Sequence, residues 1–477
     1  MNATRSMMSS RIDFVKNSEA ALRDPALHSS VRRAMVRFRE LQRGVIDEMD
    51  DWQALREYAH RVKLHTLSHL DHYLEQLERQ IVAAGGQVHW VRDGAHAGRL
   101  IADLARRRDD RTVVKSKSMT SEEIDLNQVL EAAGCEVVET DLGEYLLQLA
   151  GDRPAHLIAP AVHKSKEAIA KLLADKLGVP VYDDAERLTR VARDALRKKF
   201  LTAGIGITGV NFAVADTGTI VVVENEGNAR LTMSLPRVHI ALMGIEKVIP
   251  RLADLGVFLT LLPRAATGQR MSSYVSLITG PRRAGERDGP EEFHLVIMDN
   301  GRTAIQADPV MRESLACIRC GACLDVCPVF ERTAGHAYGS VYSGPIGAVI
   351  TPLSQGLDVA GELPFASSLC GACGEICPVK IDLPRLLLEL RARVVQAGGA
   401  SWAERLFVHG WVATMARSGR LRLVAPIVRL LHRAVAGTRI PLPYPFSRWT
   451  QFRELPPPVR ASFRERWPVV SAQGRRR

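Results

Sequence analysis

Seven of the eight cysteines of this chain fall in two short runs. The first reads Cys317-Ile-Arg-Cys320-Gly-Ala-Cys323-Leu-Asp-Val-Cys327-Pro328. The second, with 42 residues between Cys327 and Cys370, reads Cys370-Gly-Ala-Cys373-Gly-Glu-Ile-Cys377-Pro378. Thiolates at this spacing hold iron. Three on one tight loop face a single iron–sulfur cube, and the fourth, carried past the loop and stopped by proline, points toward a second cube. Gly321 and Gly371 let the backbone approach inorganic sulfide and leave N–H groups free to bond it. Zinc prefers C-x2-C pairs separated by a longer loop, and disulfide frameworks belong to secreted chains, so neither suits the pattern.

Crossed ligation gives Cys317, Cys320, Cys323 and Cys377 to cluster one, and Cys327, Cys370 and Cys373 to cluster two. A full second copy of the motif would carry a cysteine three positions before Cys370, where Ser367 stands. Cluster one is therefore expected as 4Fe-4S. Cluster two is either 3Fe-4S, or 4Fe-4S with its last iron held by Ser367, water, a substrate or a partner's residue. Cys135, between Gly134 and Glu136, reads as an inert residue at the start of a strand.

The elements that must position these loops can be read from periodicity. Residues 12 to about 84 are helical, with Val45, Met49, Trp52 and Leu55, then Leu67, Leu70, Leu74, Leu77 and Ile81, at helical spacing, stopped by Gly85-Gly86. His65, His69 and His72 share a face there, read as a polar helix surface rather than a metal site. From 88 to 200 short apolar strands (88–91, 112–115, 136–140, 156–159) alternate with helices. One helix spans 122–133 behind a Thr120/Glu123 capping box, and another runs from about 164 to 177. Such alternation implies right-handed crossovers and a mostly parallel sheet. Further strands are expected at 212–215, 219–223, 238–243, 257–262, 275–278 and 293–298.

Gly204-Ile-Gly206-Ile-Thr-Gly209 matches G-x-G-x-x-G, but a helix precedes it and β-rich sequence follows. That is the reverse of a dinucleotide fingerprint, and it is read as a false match. Glu224-Asn225-Glu226-Gly227-Asn228 follows a strand, where open α/β sheets place ligands; a solvated turn is the equal alternative. Between the cysteine runs, Gly335-His-Ala-Tyr338 and Gly344-Pro-Ile-Gly347 suggest a loop packed over the clusters. The expected organisation is an N-terminal helical segment (1–64), an α/β domain (65–300), a two-cluster domain (301–395) and a basic, apolar C-terminal region (396–477).

A chain of 477 residues that is 46% hydrophobic has ample material for two or three cores. Its net charge of +11 is uneven: residues 401–477 carry 15 arginines against three glutamates, so the remainder is near neutral. The first sixteen residues hold no continuous apolar stretch, and 421–431, the most apolar candidate for a span, is broken by Arg422, Pro426 and Arg429. A cytoplasmic protein is expected, which suits oxygen-sensitive clusters. The tail has no RRM, zinc-finger or helix-turn-helix signature, so no nucleic-acid partner is expected. Trp402, Leu406, Trp411, Leu421 and Ile427 among arginines resemble a helix resting in a membrane interface. The alternative, that they pack on the chain's own core or a companion subunit, is favoured because Pro426 and the prolines of an extended 441–458 segment interrupt a long helix.

Several ordered motifs meet in one family. Lys115-Ser-Lys-Ser-Met119 with Glu122-Glu-Ile, Glu139-Thr-Asp-Leu-Gly-Glu144, Gly206-Ile-Thr-Gly-Val-Asn211, Asn225-Glu-Gly-Asn228, Thr267-Gly-Gln, the cysteine runs and the basic tail resemble the lactate-utilisation protein B family over nearly the whole chain. The resemblance implies an α/β LUD domain, NagB/RpiA/CoA-transferase-like, followed by an α-helical ferredoxin-like dicluster domain. It also implies a part in oxidising L-lactate to pyruvate with two companion subunits, a cysteine-rich-repeat protein and a second LUD protein. Seven cluster cysteines are the family's own number. By fold analogy Glu224 or Glu226 is the positional relic of a CoA-transferase glutamate.

Two functions compete: an electron-transfer subunit with two iron–sulfur clusters, or a directly catalytic hydroxy-acid oxidoreductase using an open iron as Lewis acid. In either, a pocket of the LUD domain formed by Gly206, Asn211, Glu224, Asn225 and Glu226, helped by Lys115 and Lys117, is expected to hold a small anion.

Overall fold

The computed structural model describes residues 11–107, 111–399, 402–435, 459, 461 and 463–474. The N-terminal periodicity becomes four helices, α1 (Phe14–Leu22), α2 (Pro25–Asp47), α3 (Trp52–Ser68) and α4 (Leu70–Ala83). Asp13 and Asp24 cap the first two, accepting from backbone N–H groups of the first turn. Gly85, at φ 91°, follows α4 in a backbone conformation that glycine adopts without strain.

The α/β region contains β1 (Gln87–Val91), α5 (Gly94–Arg107), β2 (Thr112–Lys115), α6 (Met119–Glu122), α7 (Leu126–Ala132), β3 (Glu136–Glu139) and α8 (Leu142–Ala150). It continues through α9 (Lys166–Leu177), α10 (Ala185–Thr202), β4 (Ile205–Gly209), β5 (Phe212–Val214), β6 (Thr219–Glu224) and α11 (Asn228–Ser234). It closes with β7 (Val238–Gly244), β8 (Val248–Ile249), α12 (Leu252–Thr267), β9 (Tyr274–Ile278) and β10 (Glu292–Met298). A six-stranded sheet in the order β1-β10-β7-β4-β2-β3 is parallel throughout. A second sheet, β8-β5-β6-β9, is mixed. The parallel sheet is buried on both faces, as such sheets must be. Ile240 and Leu242 of β7 pack with Ile101 and Leu130 on one side, and Ala241 and Met243 pack with Leu77 and Ile81 on the other.

The cysteine region is helical: α13 (Arg302–Ala307), α14 (Ala322–Asp325), α15 (Pro328–Thr333), α16 (Gly344–Gln355), α17 (Leu357–Ala360), α18 (Ala372–Ile376) and α19 (Leu383–Gln396). Its largest core joins segments far apart in sequence. Val31, Met35, Trp52 and Ala59 of the N-terminal helices share it with Phe258 of α12, five buried cluster-region cysteines and Leu386 and Leu387. Contacts divide the chain into two units, Met1–Arg393 and Val394–Arg477. The second contains α20 (Trp402–Met415), α21 (Ser418–Val435) and α22 (Phe463–Gly474).

Several expected elements are formed differently. Residues 156–159 are not a strand, because the His156 ring turns the chain: its Nδ1 accepts from the backbone N–H of Ile158 and of Ala159, both at 3.1 Å. Residues 257–262 lie within helix α12, where Leu255, Phe258, Leu261, Leu262 and Ala265 bury one face at helical spacing. The 122–133 helix is two helices, broken at Asp125 (φ 49°), and Ser118 rather than Thr120 caps the first. Glu123 pairs instead with Arg302. The loop between the cysteine runs is largely helical, since Pro345 fits the first turn of α16. In the tail, α21 runs through Pro426, whose ring removes a single helical donor. The expected extended 441–458 segment lies outside the described residues. His69 ends α3, so the three histidines do not share one helix; His65 Nε2 bonds the Tyr73 hydroxyl at 2.9 Å.

The G-x-G-x-x-G match is accounted for by packing. Gly206 lies within β4, where a Cβ would stand 1.8 Å from the carbonyl oxygen of Thr232 in α11. Gly206→Ala is therefore expected to destabilise the chain by about 1–3 kcal/mol, because backbone rather than a mobile side chain must yield. Chemical denaturation of wild type and variant measures this; an unchanged midpoint would show that α11 shifts at no cost.

Candidate metal centre and adjoining cavity

The two cysteine runs repeat one backbone shape. Arg319 and Leu369, each just before a cysteine, have positive φ (61° and 54°), as do Gly321 and Gly371 just after it (79° and 90°). This curls each loop so that N–H groups turn toward sulfur. Cys317 Sγ accepts from Arg319 N at 3.4 Å, Cys327 Sγ from Phe330 N at 3.5 Å and Cys377 Sγ from Ile381 N at 3.4 Å. The backbone N–H of Ile346, in the first turn of α16, bonds Cys323, so that helix's positive end faces the thiol.

Spatial neighbours divide the seven cysteines into two groups. Cys317, Cys320, Cys323 and Cys377 line one small cavity together with Ile346 and Ile381. Burial pushes the thiols of Cys320 and Cys323 well up, and the charges of the other members of this group add to the rise. Burial likewise lifts Cys373 to about 12, with Cys327 and Cys370 as its charged neighbours, and Cys377 to about 11, with Cys317 as its own. In neither group is there a disulfide. Crowded, buried thiols of this kind ionise when a cation replaces the protons, and all-sulfur sets of three and four suit iron–sulfur clusters.

Charge around the first group supports the same fit. Lys63, Lys247, Arg302 and Arg319 are buried behind Cys317, against the carboxylates of Glu246 and Glu123. Lys63 donates to the carbonyls of Glu246 and Val248. Arg302 bonds Glu246 at 2.7 Å and both oxygens of Glu123, at 2.9 and 2.7 Å. Burial drives Lys63 and Lys247 down to about 8. The surplus of cations leaves room for an anionic group, which a thiolate-ligated cluster supplies. From α3, buried Arg56 donates to the Cys377 carbonyl at 2.9 and 2.7 Å and to that of Glu375 at 2.7 Å, clamping the second run from the far end of the sequence.

The second group is less enclosed. Cys327 and Cys373 are buried, but Cys370 is exposed. Ser367 is half-buried, its Oγ accepting from Leu369 N at 3.1 Å. Cys135 lies elsewhere, packed at the edge of the α/β core with its thiol pushed up by burial.

Beside the cysteine loops a cavity of about 340 Å³ opens at the carboxyl ends of β2, β3, β4 and β7, the ligand edge of such sheets. Asn211, Glu224, Asn225, Glu226 and Lys117 line it; Arg319 and Tyr342 of the cysteine region complete its wall. Gly206 and Lys115 do not line it. Lys115 is fully buried, held by Glu122 at 2.9 Å, Glu139 at 2.8 Å and Ser121 at 3.0 Å. Glu224 accepts from Ala229 N at 2.8 Å and Arg230 N at 2.7 Å, capping α11, and burial raises its pKa. Burial and the Asp141 charge lift Glu226 to about 7, although it accepts from Leu142 N at 3.0 Å.

Lys247 and Arg319 are the cationic lining residues that sequence reasoning missed. Lys247 follows an apolar strand with no distinguishing pattern. A signal for Arg319 was present, a charge inside the spacer of a cysteine motif.

Family models match at the same two places: a LUD domain over residues 74–298 and a 4Fe-4S dicluster domain over 313–381. Lactate utilization protein B of Shouchella clausii is 43% identical over 464 residues, covering 97% of this chain and 98% of that one. The protein of that name from Bacillus thuringiensis is 44% identical, covering 93% and 94%. This chain belongs to the lactate utilization protein B family. The chain has an α/β LUD domain followed by a helical dicluster region. A crystal structure of a duf162 family protein from Deinococcus radiodurans, 13% identical, covers 48% of this chain and 98% of its own, with a TM-score of 0.27. That likeness carries no weight here.

Proposed function

We propose that the chain is the iron–sulfur electron-transfer subunit of an assembly that oxidises L-lactate to pyruvate. The observation that carries this reading is the sorting of seven cysteines into an enclosed group of four and a group of three opening at exposed Cys370. We assign Cys317, Cys320, Cys323 and Cys377 to one 4Fe-4S cluster, and Cys327, Cys370 and Cys373 to a second of 4Fe-4S or 3Fe-4S type. When bound, such clusters would supply one-electron transfer, and two of them match the two electrons that lactate releases. The residues around them would do the rest: Arg56 and the α16 N-terminus hold the enclosed set in place, and Cys370 brings the other set to the surface, where a partner can reach it. The companions are a cysteine-rich-repeat protein and a second LUD protein, as for the family.

The test is anaerobic purification of the chain alone, with iron, acid-labile sulfide and EPR spectra recorded with and without L-lactate. Spectra that stay unchanged until companions are added support a relay. A lactate-induced signal in the isolated chain favours direct catalysis instead, a reading supported by the cavity that Arg319 joins to the cysteine loop.

The tail bears on location. Among the described residues no helix is long and apolar enough to cross a membrane. In the C-terminal unit Trp402 (79% exposed), Leu406, Trp411, Leu423 and Ile427 are open to solvent. We assign this apolar, arginine-rich surface to a companion subunit of a cytoplasmic assembly, with an anionic membrane surface as the alternative. About 1 kcal/mol per basic residue would make membrane attachment salt-sensitive. Flotation with anionic liposomes at low and high salt separates the two. If the full chain and a chain ending near residue 399 float equally poorly, the membrane alternative is excluded.

A further inference from the structure

The cavity at the sheet's carboxyl edge has its own unmet chemistry. Lys247 is 8% exposed, and no hydrogen bond or ion pair to its ammonium is present among the described residues. Arg319 is 9% exposed; its guanidinium lies over the Tyr342 ring at 4.7 Å, and its Nη1 is buried without a partner. Among the described residues its only carboxylate contact is a long one, Nη2 to Glu246 at 3.4 Å. Both cations line this one cavity as well as adjoining Cys317, and the orphaned Arg319 donor leaves a hydrogen bond there for an anion to accept.

The acidic part of the lining limits which anion. Asp141, Glu224 and Glu226 line the same cavity, so a second negative charge, as on a phosphate ester, would face carboxylates. A monocarboxylate fits, with its charge on the Lys247 and Arg319 side. Ser118, Asn211 and Thr267 offer neutral partners to an oxygen on the adjacent carbon.

We propose that this cavity is a binding site for a small 2-hydroxy or 2-oxo monocarboxylate, gripped by Lys247 and by Arg319 of the cysteine loop itself. The site rests for its purpose on the proposed part in lactate oxidation, whether by relay or by direct catalysis, since Arg319 lies between Ile318 and Cys320. It does not rest on it for its existence, because carboxylate binding requires only the two cations.

Titration calorimetry on the full chain, purified anaerobically with iron and sulfide quantified, tests it. The probes are L-lactate, pyruvate, propionate, lactamide and inorganic phosphate. L-Lactate or pyruvate is expected to bind, propionate less tightly, and neutral lactamide and phosphate not measurably. Lys247→Gln is expected to weaken carboxylate binding, measured per iron-loaded chain, by roughly 10- to 100-fold, and Lys247→Arg to restore part of it. Absence of carboxylate binding by iron-loaded wild-type chain overturns the proposal, as does tighter binding of phosphate or unaltered affinity in Lys247→Gln. Should Lys247→Gln fail to fold, the comparison of L-lactate with lactamide on wild type still decides, because lactamide has nearly the same shape but lacks the charge and one acceptor oxygen. Binding without EPR-active clusters would sink the relay reading and leave this one standing; clusters without binding would do the reverse.

Discussion

Replacing Cys377 by serine is expected to remove the cluster of the first cysteine run and spare that of its sequence neighbours Cys370 and Cys373. The Cys377 thiol is buried and shares a cavity with Cys317, Cys320 and Cys323, and Cys317 is the cysteine whose charge it feels. Its backbone is held by Arg56, which donates twice to the Cys377 carbonyl. The variant should lose about half of the bound iron. Cys327→Ser is the mirror experiment: Cys370 is its charged neighbour, so the second cluster should be lost and the first kept. EPR of the reduced variants, with iron and sulfide counts, distinguishes the two patterns. If Cys377→Ser retains the first cluster and loses the second, the crossed assignment is wrong.

The largest effect on stability is expected from Arg302→Met. Arg302 is 5% exposed and bridges two buried carboxylates, Glu246 and Glu123, which also receive Arg319, Asn300 and the Tyr342 hydroxyl. Removing the guanidinium leaves both acids buried beside less positive charge. The cost of breaking such a pair is about 3–5 kcal/mol. The effect has a definite pH dependence. Burial pushes the Glu246 carboxyl up, but Arg302 and Arg319 outweigh it and hold the group down to about 2; Glu123 is lowered too, against its own burial, chiefly by Arg302. Folded-state values below the unfolded value give stability that is fully present above about 4.5 and is lost as pH falls toward 2. In Arg302→Met both acids should instead resist ionisation, so the variant's deficit is expected to shrink as pH is lowered from 8 to 5. Unfolding midpoints across that range check this. A deficit independent of pH would mean that Arg302 acts by packing alone.

What the sequence determined by itself was the chemistry of the cysteines and the alternation of the α/β domain. Both are local: C-x2-C-x2-C-x3-C-P places thiols on one loop whatever surrounds it, and period-2 and period-3.6 patterns need no partner to be read. The strands at 112–115 and 238–243 and the fingerprint that opens no helix follow from such patterns. Where tertiary contacts outweigh local preference the sequence was silent or misleading. The apolar run 257–262 suits strand or helix equally, and the core shared by α12 with α2 and α3 decides for helix. His156 turns its segment because its Nε2 is 3.2 Å from Asp325, which in turn takes the Gln42 amide at 2.6 Å. The cavity belongs to the same class. Lys117, Lys247 and Arg319 come from three distant segments, and only the docking of the cysteine region on the sheet edge gathers them around one space. Lys115 shows the converse: a basic residue in a family motif whose charge the fold commits to Glu122 and Glu139. Spacing along the chain specifies which groups can bind iron; which cations remain unpaired, and therefore open to a ligand, is set by the packing.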